Sequence, residues 1–256
     1  KFSFKNDYAE GCHPDILKLL VETNEIQQQG YGEDEYSLQA KKLIREKLED
    51  HLAEIHFVSG GTQANLIVIS SVLKPYQCAI AASSGHILNN ETGAIEATGH
   101  KIISVESADG KLRVEDIQNI LDAHQNVPHQ VMPKLVYISN STEVGTVYNK
   151  KELTEISDFC RKNSLYLFLD GARLGQALTS VKNDLEFSDL AQLVDIFYLG
   201  GTKNGALLGE AIIILNENLK QDFAFNIKQK GALLAKGRLL GIQFLGLMQN
   251  NLYFDL

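Results

Sequence analysis

The chain has 256 residues, of which 44% are hydrophobic and 22% are charged, a composition typical of a globular protein with a full core. Its 24 basic and 32 acidic residues give a net charge of −8, which disfavours nucleic-acid binding because there is no basic patch to contact phosphates. The longest aliphatic run, Ala211–Leu215, is far shorter than the roughly 20 apolar residues of a membrane span.

Helical and strand patterns alternate along the chain. Pro14 opens the first predicted helix, and Ser37 is the predicted N-cap of a second helix that runs to about Asp50. Helical periodicity also predicts helices from Val114 to His124 and over Lys150–Lys162, and one long helix from Gly231 to about Asn251. The predicted strands are Glu54–Val58, Cys78–Ala82, Lys101–Val105, Leu135–Ile138, Tyr166–Leu169, Asp195–Leu199 and Ala211–Leu215. This alternation predicts a three-layer α/β/α fold with a mostly parallel, mixed sheet.

Several common signatures are absent from the sequence. Leu112 follows Gly110-Lys111 where a P-loop needs Ser or Thr, and Glu35 stands where GxGxxG needs its third glycine. There is no GxSxG or HExxH string. Cys12, Cys78 and Cys160 show no CxxC spacing, so we expect free thiols in a reducing cytoplasm and no metal site.

Two glycine-containing segments follow predicted strands. In Ser59–Leu66 the glycines allow close approach to a ligand, and Gly61 and Thr62 open a helix whose free N–H groups can bind a phosphate. The alternative is an ordinary strand-to-helix turn with Thr62 as N-cap. Asp170 ends a very apolar strand and lies where open α/β sheets bind ligands. Its alternative is to cap the helix that follows.

Lys203 and His86 also follow strands. Lys203, among small residues, can reach into a cleft and form a Schiff base with an aldehyde, although a solvated loop lysine is the ordinary alternative. The ring of His86 can lie over a planar ligand, with Glu91 nearby in sequence, although each is more often a surface residue. Together, a phosphate cup, a ring-stacking side chain, an acid and a lysine match the needs of pyridoxal phosphate.

The sequence resembles the threonine aldolase and β-eliminating lyase family of fold-type-I pyridoxal phosphate enzymes. The resemblance is carried by Tyr31-Gly32-Glu33-Asp34, Gly61-Thr62-Gln63-Ala64-Asn65 and Leu169–Leu174, with Asn6-Asp7-Tyr8, His86 to Ala94 and Thr202-Lys203 around them. It implies that Lys203 carries the cofactor, Asp170 pairs with the pyridinium nitrogen, His86 stacks on the ring, and Gly61 and Thr62 hold the phosphate. It further implies Arg173 near the phosphate and the substrate carboxylate, Asn6 against the substrate, and Glu91 as a water-linked acid/base group.

The same resemblance implies a homodimer or homotetramer with shared active sites. Tyr31 and a basic residue from 228–238 would belong to the neighbouring subunit's site. The implied reaction is cleavage of L-threonine or L-allo-threonine to glycine and an aldehyde. A β-eliminating lyase, and a cofactor-binding relative without turnover, remain alternatives.

Two segments depart from the family pattern. Glu143 stands in a segment where typical threonine aldolases have a histidine near the substrate hydroxyl, so Glu143 is a candidate acid/base group. The string from Gly231 to Arg238 is also altered, and Lys236 or Arg238 could take its cationic role. We expect an N-terminal arm over 1–14, a cofactor-binding domain over 15–230, and a segment 231–256 that leads to a missing or truncated small C-terminal domain.

Overall fold

A computed structural model describes residues 3–256, so the first two residues of the predicted arm lie outside the described residues. Seven strands form one sheet in the order β1-β7-β6-β5-β4-β2-β3. Four of the six adjacent strand pairs are parallel, whereas β7 runs antiparallel to both β1 and β6. The strands are β1 (Glu54–Val58), β2 (Gln77–Ala82), β3 (Lys101–Val105), β4 (Met132–Ser139), β5 (Tyr166–Asp170), β6 (Ile196–Gly200) and β7 (Glu210–Ile214).

Helices cover both faces of the sheet, which confirms the predicted three-layer mixed α/β/α fold. The first six are α1 (Pro14–Glu22), α2 (Glu35–Leu48), α3 (Gly61–Val72), α4 (His86–Asn89), α5 (Ala94–Ala97) and α6 (Val114–Ala123). The others are α7 (Lys150–Lys162), α8 (Leu174–Leu178), α9 (Leu190–Leu193), α10 (Phe223–Gln229), α11 (Arg238–Met248) and α12 (Leu252–Asp255). Short 3₁₀ turns cover Phe187–Asp189, Glu217–Leu219 and Gln249–Asn251.

Two details of the predicted helices are wrong. Asp34, not Ser37, caps α2: the Asp34 carboxylate accepts from the Ser37 backbone N–H at 2.8 Å, an interaction that satisfies one of the free donors of the first turn. The predicted helix from Gly231 begins only at Arg238. The segment before it packs closely against Gly30, where an added Cβ would lie 2.9 Å from the Ala235 carbonyl oxygen. This contact, and not helical hydrogen bonding, determines the path of the chain there. The predicted division into arm, large domain and C-terminal segment stays a prediction.

The core lies in two layers, because successive strand residues point to opposite faces of the sheet. On β6, Phe197 packs with α2 and α11 on one face, while Ile196 and Tyr198 pack with α3 and α10 on the other. The side chains of β5 and β6 are buried throughout, apart from half-buried Tyr166 at the start of β5. Burial on both faces is the reason why these strands read as continuous apolar runs in the sequence.

Helix α11 connects the core to the loop after β6. The buried Gln243 side chain accepts from the backbone N–H groups of Leu207 and Leu208, at 2.7 and 3.3 Å. On the opposite side, Gly241 meets α2 so closely that an added Cβ would lie 2.1 Å from Ser37 Oγ. The position of the Lys203 loop therefore depends on the close contact between α2 and α11.

We expect Gly241→Ala to destabilise the fold by about 2 kcal/mol, because overpacking a close contact costs more than the helix gains from alanine. Gly246→Ala is the matched control on the same helix. The nearest atoms to its added Cβ would be side-chain atoms of Ile16 and Leu19 at 3.1 Å, which can shift, and the Ile16 Cα would lie at an ordinary contact distance of 3.9 Å. The measurement is the free energy of urea unfolding for both variants; equal values would contradict the prediction.

Candidate active site

A cavity of about 320 Å³ lies at the carboxyl ends of β4, β5 and β6. This is the edge at which open α/β sheets bind ligands. Its lining residues are Tyr8, Ser59, Gly60, Gly61, Thr62, His86, Ser139, Ser141, Glu143, Asp170, Ala172, Arg173, Tyr198, Thr202, Lys203, Leu208 and Glu210. The structure therefore brings seven of the predicted site residues to one cavity: Gly61, Thr62, His86, Glu143, Asp170, Arg173 and Lys203.

The Asp170 carboxylate is buried, with 4% of the residue exposed, and its hydrogen-bond donors are neutral. Oδ1 accepts from the Tyr198 hydroxyl at 2.5 Å and from the Ala172 backbone N–H at 3.0 Å. Oδ2 accepts from the Tyr137 hydroxyl at 2.5 Å and from Asn65 Nδ2 at 3.2 Å. Burial raises the pKa of both tyrosine hydroxyls well above the usual value, so both remain donors. Asp170 does not cap α8, whose N-cap is Arg173.

Asn65 joins Asp170 to a second buried acid. Its Nδ2 also donates to Glu91 Oε1 at 2.7 Å, and the same oxygen lies 2.8 Å from His86 Nδ1. The hydrogen bond that His86 donates to Glu91 raises the pKa of His86 by more than burial lowers it. Glu91 lies behind His86 with a fully buried side chain and does not line the cavity. Glu91 therefore contacts the ring of His86 from outside the cavity, and its role as a water-linked acid/base group stays a prediction.

Helix α3 begins at the cavity without a side-chain cap. Its N-cap is Gly60, which provides no capping hydrogen bond, and Thr62 is the second residue of the helix, not its cap. Gln63 turns back to accept from the Ser59 backbone N–H and hydroxyl. The first backbone N–H groups of α3 are thus available to an anion.

Lys203 lies in the turn between β6 and β7. Backbone hydrogen bonds close this turn: the Gly201 and Thr202 N–H groups both donate to the Gly209 carbonyl oxygen, at 3.0 and 3.1 Å. Lys203 is half-buried. Within residues 3–256, no acceptor lies within hydrogen-bond or ion-pair distance of its Nζ. The turn therefore presents an unpaired amine in the same cavity as the buried Asp170.

Arg173 lines the same cavity and is held from outside it. Its Nε and Nη2 donate to the two carboxylate oxygens of Asp7, at 2.5 and 3.1 Å. Asp7, near the start of the chain, lines an adjoining groove and does not line the main cavity. The ion pair raises the pKa of Arg173 and, with the charge of Lys203, lowers that of Asp7 despite its partial burial.

Glu143 is anchored at one oxygen. Its Oε1 accepts from the His86 backbone N–H at 2.9 Å and from the Ser139 hydroxyl at 2.7 Å. Among the described residues no other residue donates to Oε2, and this oxygen is not among the buried atoms that lack a partner. Burial raises the pKa of Glu143, although the bond from Ser139 opposes this. The arrangement leaves one carboxylate oxygen available at the cavity.

Glu210, the first residue of β7, is a site residue that sequence reasoning missed. It is 4% exposed, and its Oε2 accepts from the Gly201 backbone N–H at 3.0 Å. Burial raises its pKa from the ordinary 4.5 to about 8. The only sequence signal for Glu210 was its position as a single acid directly before the apolar run 211–215. Tyr137 and Tyr198 were missed as well, although each places a hydroxyl in an otherwise apolar strand.

Two predicted substrate-site residues lie outside this cavity. Asn6 lines the adjoining groove, and its Oδ1 accepts from the Tyr8 backbone N–H at 3.1 Å. Tyr31 is 49% exposed on a distant loop, with Lys228 Nζ 4.9 Å from the centre of its ring. Arg238 donates to the backbone carbonyls of Thr23 and Ile26 in its own chain.

Residues 3–256 contain no metal-binding cluster, no helix able to span a membrane and no disulfide. No cluster of His, Cys, Asp and Glu there has a geometry that could hold a metal ion. No helix in this part of the chain has the length and hydropathy to cross a membrane. The thiols of Cys12, Cys78 and Cys160 are free, as the sequence predicts.

The sheet order, the flanking helices and the cavity place the chain in the fold-type-I class of pyridoxal phosphate enzymes. The family model described as "Beta-eliminating lyase" matches residues 17–252, and the chain belongs to this family. Membership implies pyridoxal phosphate as the cofactor.

Individual relatives agree with this assignment. The low specificity L-threonine aldolase of Pseudomonas aeruginosa is 33% identical over 251 residues, which cover 97% of this chain and 72% of that protein. The structure of Leishmania major threonine aldolase has 55% identity and a TM-score of 0.98, and the match covers all of this chain and 74% of the other. Histidinol-phosphate aminotransferase from Clostridium acetobutylicum has a TM-score of 0.70 at 14% identity, over 97% of this chain and 71% of the other; this match shows the fold alone.

We expect Glu210 to make stability depend on pH. Because its pKa is about 8 when folded and 4.5 in its ordinary range, the folded chain binds a proton that the unfolded chain has released between these values. Unfolding then becomes easier as the pH rises through this window.

Glu210→Gln keeps an oxygen that can accept from Gly201 but cannot ionise. The thermal midpoint of this variant should therefore fall less than that of the unmodified chain between about pH 5 and pH 8. The exposed Glu10→Gln is the control and should follow the unmodified chain. Parallel curves for all three proteins would show that Glu210 does not titrate in this range.

Proposed function

We propose that this chain is a pyridoxal phosphate-dependent carbon–carbon lyase that cleaves L-threonine, L-allo-threonine and related β-hydroxy-α-amino acids to glycine and an aldehyde. The observation that carries the proposal is the meeting of an unpaired lysine, a buried carboxylate and an uncapped helix N-terminus in one cavity. The choice of reaction is based on the similarity to proteins described as threonine aldolases.

The residues of the cavity fit the three ends of the cofactor. Asp170 is buried with neutral donors only, so a protonated pyridine nitrogen would supply the cation that a buried carboxylate favours. The N–H groups at Gly61 and Thr62 would hold the phosphate. Lys203 would bond to the aldehyde carbon. When bound, the cofactor would supply an electron sink for the electrons released by cleavage at the α-carbon.

His86 would lie against the face of the cofactor ring. Its Nδ1 is engaged by Glu91, which fixes the orientation of the ring. The Asn65 amide contacts Glu91 and Asp170 at once, so the orientation of His86 and the position of Asp170 are coupled through one buried side chain.

Glu143 would remove the proton from the β-hydroxyl of the substrate. Its Oε1 is held by His86 N–H and the Ser139 hydroxyl, so that Oε2 remains available as the base. Partial burial raises its pKa, and this makes it a stronger base than an exposed glutamate. A carboxylate can therefore do the work of the histidine that typical threonine aldolases place near this hydroxyl.

Arg173 would bind the carboxylate of the amino acid, since a guanidinium suits a planar carboxylate, and Asn6 would contact the substrate from the arm. We further propose a cytoplasmic homodimer or homotetramer in which Tyr31 reaches the neighbouring site. Because Arg238 is engaged by carbonyls of its own chain, the exposed Lys236 is the better candidate for the basic residue that accompanies it.

The cofactor assignment is tested by visible absorbance with added pyridoxal phosphate. The unmodified chain should show an absorbance band that borohydride removes, with the added mass on the peptide that contains Lys203. Lys203→Ala should lose both band and mass, whereas the exposed Lys182→Ala should keep both. A reducible band that persists in Lys203→Ala would contradict the assignment of Lys203.

The role of Glu143 is tested by acetaldehyde release from L-threonine over a range of pH. Glu143→Gln should lower kcat by about 100-fold or more, a usual loss when a general base is removed. Ser139→Ala removes a hydrogen bond that lowers the pKa of Glu143, so its activity should rise at a higher pH than that of the unmodified chain.

Glu143→His should move the same rise toward the pKa of imidazole, about 6.5. An unchanged pH profile in Ser139→Ala, together with full activity in Glu143→Gln, would assign the proton transfer to another group. Release of ammonia and a keto acid in place of acetaldehyde would contradict the aldol cleavage itself.

A further inference from the structure

We propose that Asp7 is a positioning residue for substrate binding, which presents Arg173 to the carboxylate of the amino acid. This inference rests on the proposed function, because it assumes that an amino acid binds in the cavity. Through Asp7, the N-terminal arm would become part of the substrate site.

The contact between Asp7 and Arg173 uses one edge of the guanidinium. Nε and Nη2 donate to Oδ2 and Oδ1, at 2.5 and 3.1 Å. Among the described residues no group accepts from Nη1. Because a guanidinium has two edges that can each bind a carboxylate, Asp7 leaves the second edge free for another carboxylate.

Arg173 lies at the boundary between the main cavity and the adjoining groove. Arg173 lines both the main cavity and the adjoining groove, whereas Asp7 lines only the groove. The ion pair therefore holds Arg173 from its outer side. Asp170 and Glu143 on the cavity side act on Arg173 only through their charges, without a hydrogen bond to it among the described residues.

Such an arrangement favours binding by preorganisation. An arginine side chain has many rotamers, and a ligand that must order it binds more weakly. Asp7 restricts these rotamers before the substrate arrives. The arm is anchored near the site, because the His13 backbone N–H donates to the Gly205 carbonyl oxygen at 2.8 Å, close to Lys203.

The size of the effect is limited by exposure. The Arg173 and Asp7 side chains are 37% and 40% exposed, and ion pairs of this kind contribute modestly even with two hydrogen bonds. We therefore expect a change of about three- to ten-fold in affinity when Asp7 loses its charge, not the loss of binding.

The test compares two amines that differ by the carboxylate, glycine and methylamine, on the chain loaded with pyridoxal phosphate. Their dissociation constants are measured by the change in visible absorbance. Asp7→Asn should weaken the binding of glycine by about three- to ten-fold and leave the binding of methylamine unchanged. Asp7→Glu, which keeps the charge, should recover part of the loss. Glu10→Gln, on the same arm and lining the same groove, should change neither constant.

A double substitution separates positioning from a general effect of the arm. In an Arg173→Gln background, Asp7→Asn should have no further effect on glycine, because the two residues act as one unit. Equal weakening of glycine and methylamine, or tighter glycine binding in Asp7→Asn, would overturn the inference. If the unmodified loaded chain binds no glycine at all, the proposed function fails with it; the response of the unmodified chain thus distinguishes the two failures.

Discussion

The site depends on one buried negative charge at the end of β5. Removing a carboxylate from water is costly unless donors replace the water, and Asp170 receives four donors from four different parts of the fold: Tyr137, Tyr198, Asn65 and its own turn. Because β4 and β6 flank β5 in the sheet, the two hydroxyls reach the carboxylate only in the observed strand register. The parallel strands β4, β5 and β6 thus place Asp170 and its two tyrosine donors together.

The charges of the cavity differ in how far they are compensated. Arg173 has a partner in Asp7, and Glu143 has two donors on one oxygen. Lys203 has no partner among the described residues. Neighbours that hold a charged group fix its position, which suits binding or proton transfer. An amine without a partner is available to form a covalent bond. The contacts of each group therefore support its proposed role more strongly than its residue type does.

Much of the fold could be predicted from the sequence. All seven strands were located to within three residues at each end, because apolar runs between turns give a strong signal. The N-cap of α2 was not, although its signal is local, since Asp34 accepts from the Ser37 backbone N–H three residues later. The start of α11 was not, because it depends on a distant segment: Ala235 lies against Gly30. Periodicity along one segment carries no information on such contacts.

The candidate site shows the same limit. Residues in motifs, such as Lys203 and Asp170, could be found, because glycines and strand ends mark them. Glu210, Tyr137 and Tyr198 could not, because a polar residue within an apolar strand gains its meaning only from what lies on the next strand. Glu91 could be found as well, but its contact with His86 could not. Its neighbours in sequence do not reveal that His86 lies between it and the cavity.

Rigid and irregular segments contribute different parts of this site. The groups proposed to bind the cofactor stand at the ends of β5, β6 and α3, where the buried sheet and backbone hydrogen bonds define their positions. The groups proposed to contact the substrate, Arg173 and Asn6, depend instead on the N-terminal segment, in which residues 3–13 form no helix or strand. A cofactor that remains through many turnovers favours rigid supports, whereas a substrate must enter and leave. An arm held by a half-exposed ion pair meets this second requirement, because such a contact can open at small cost.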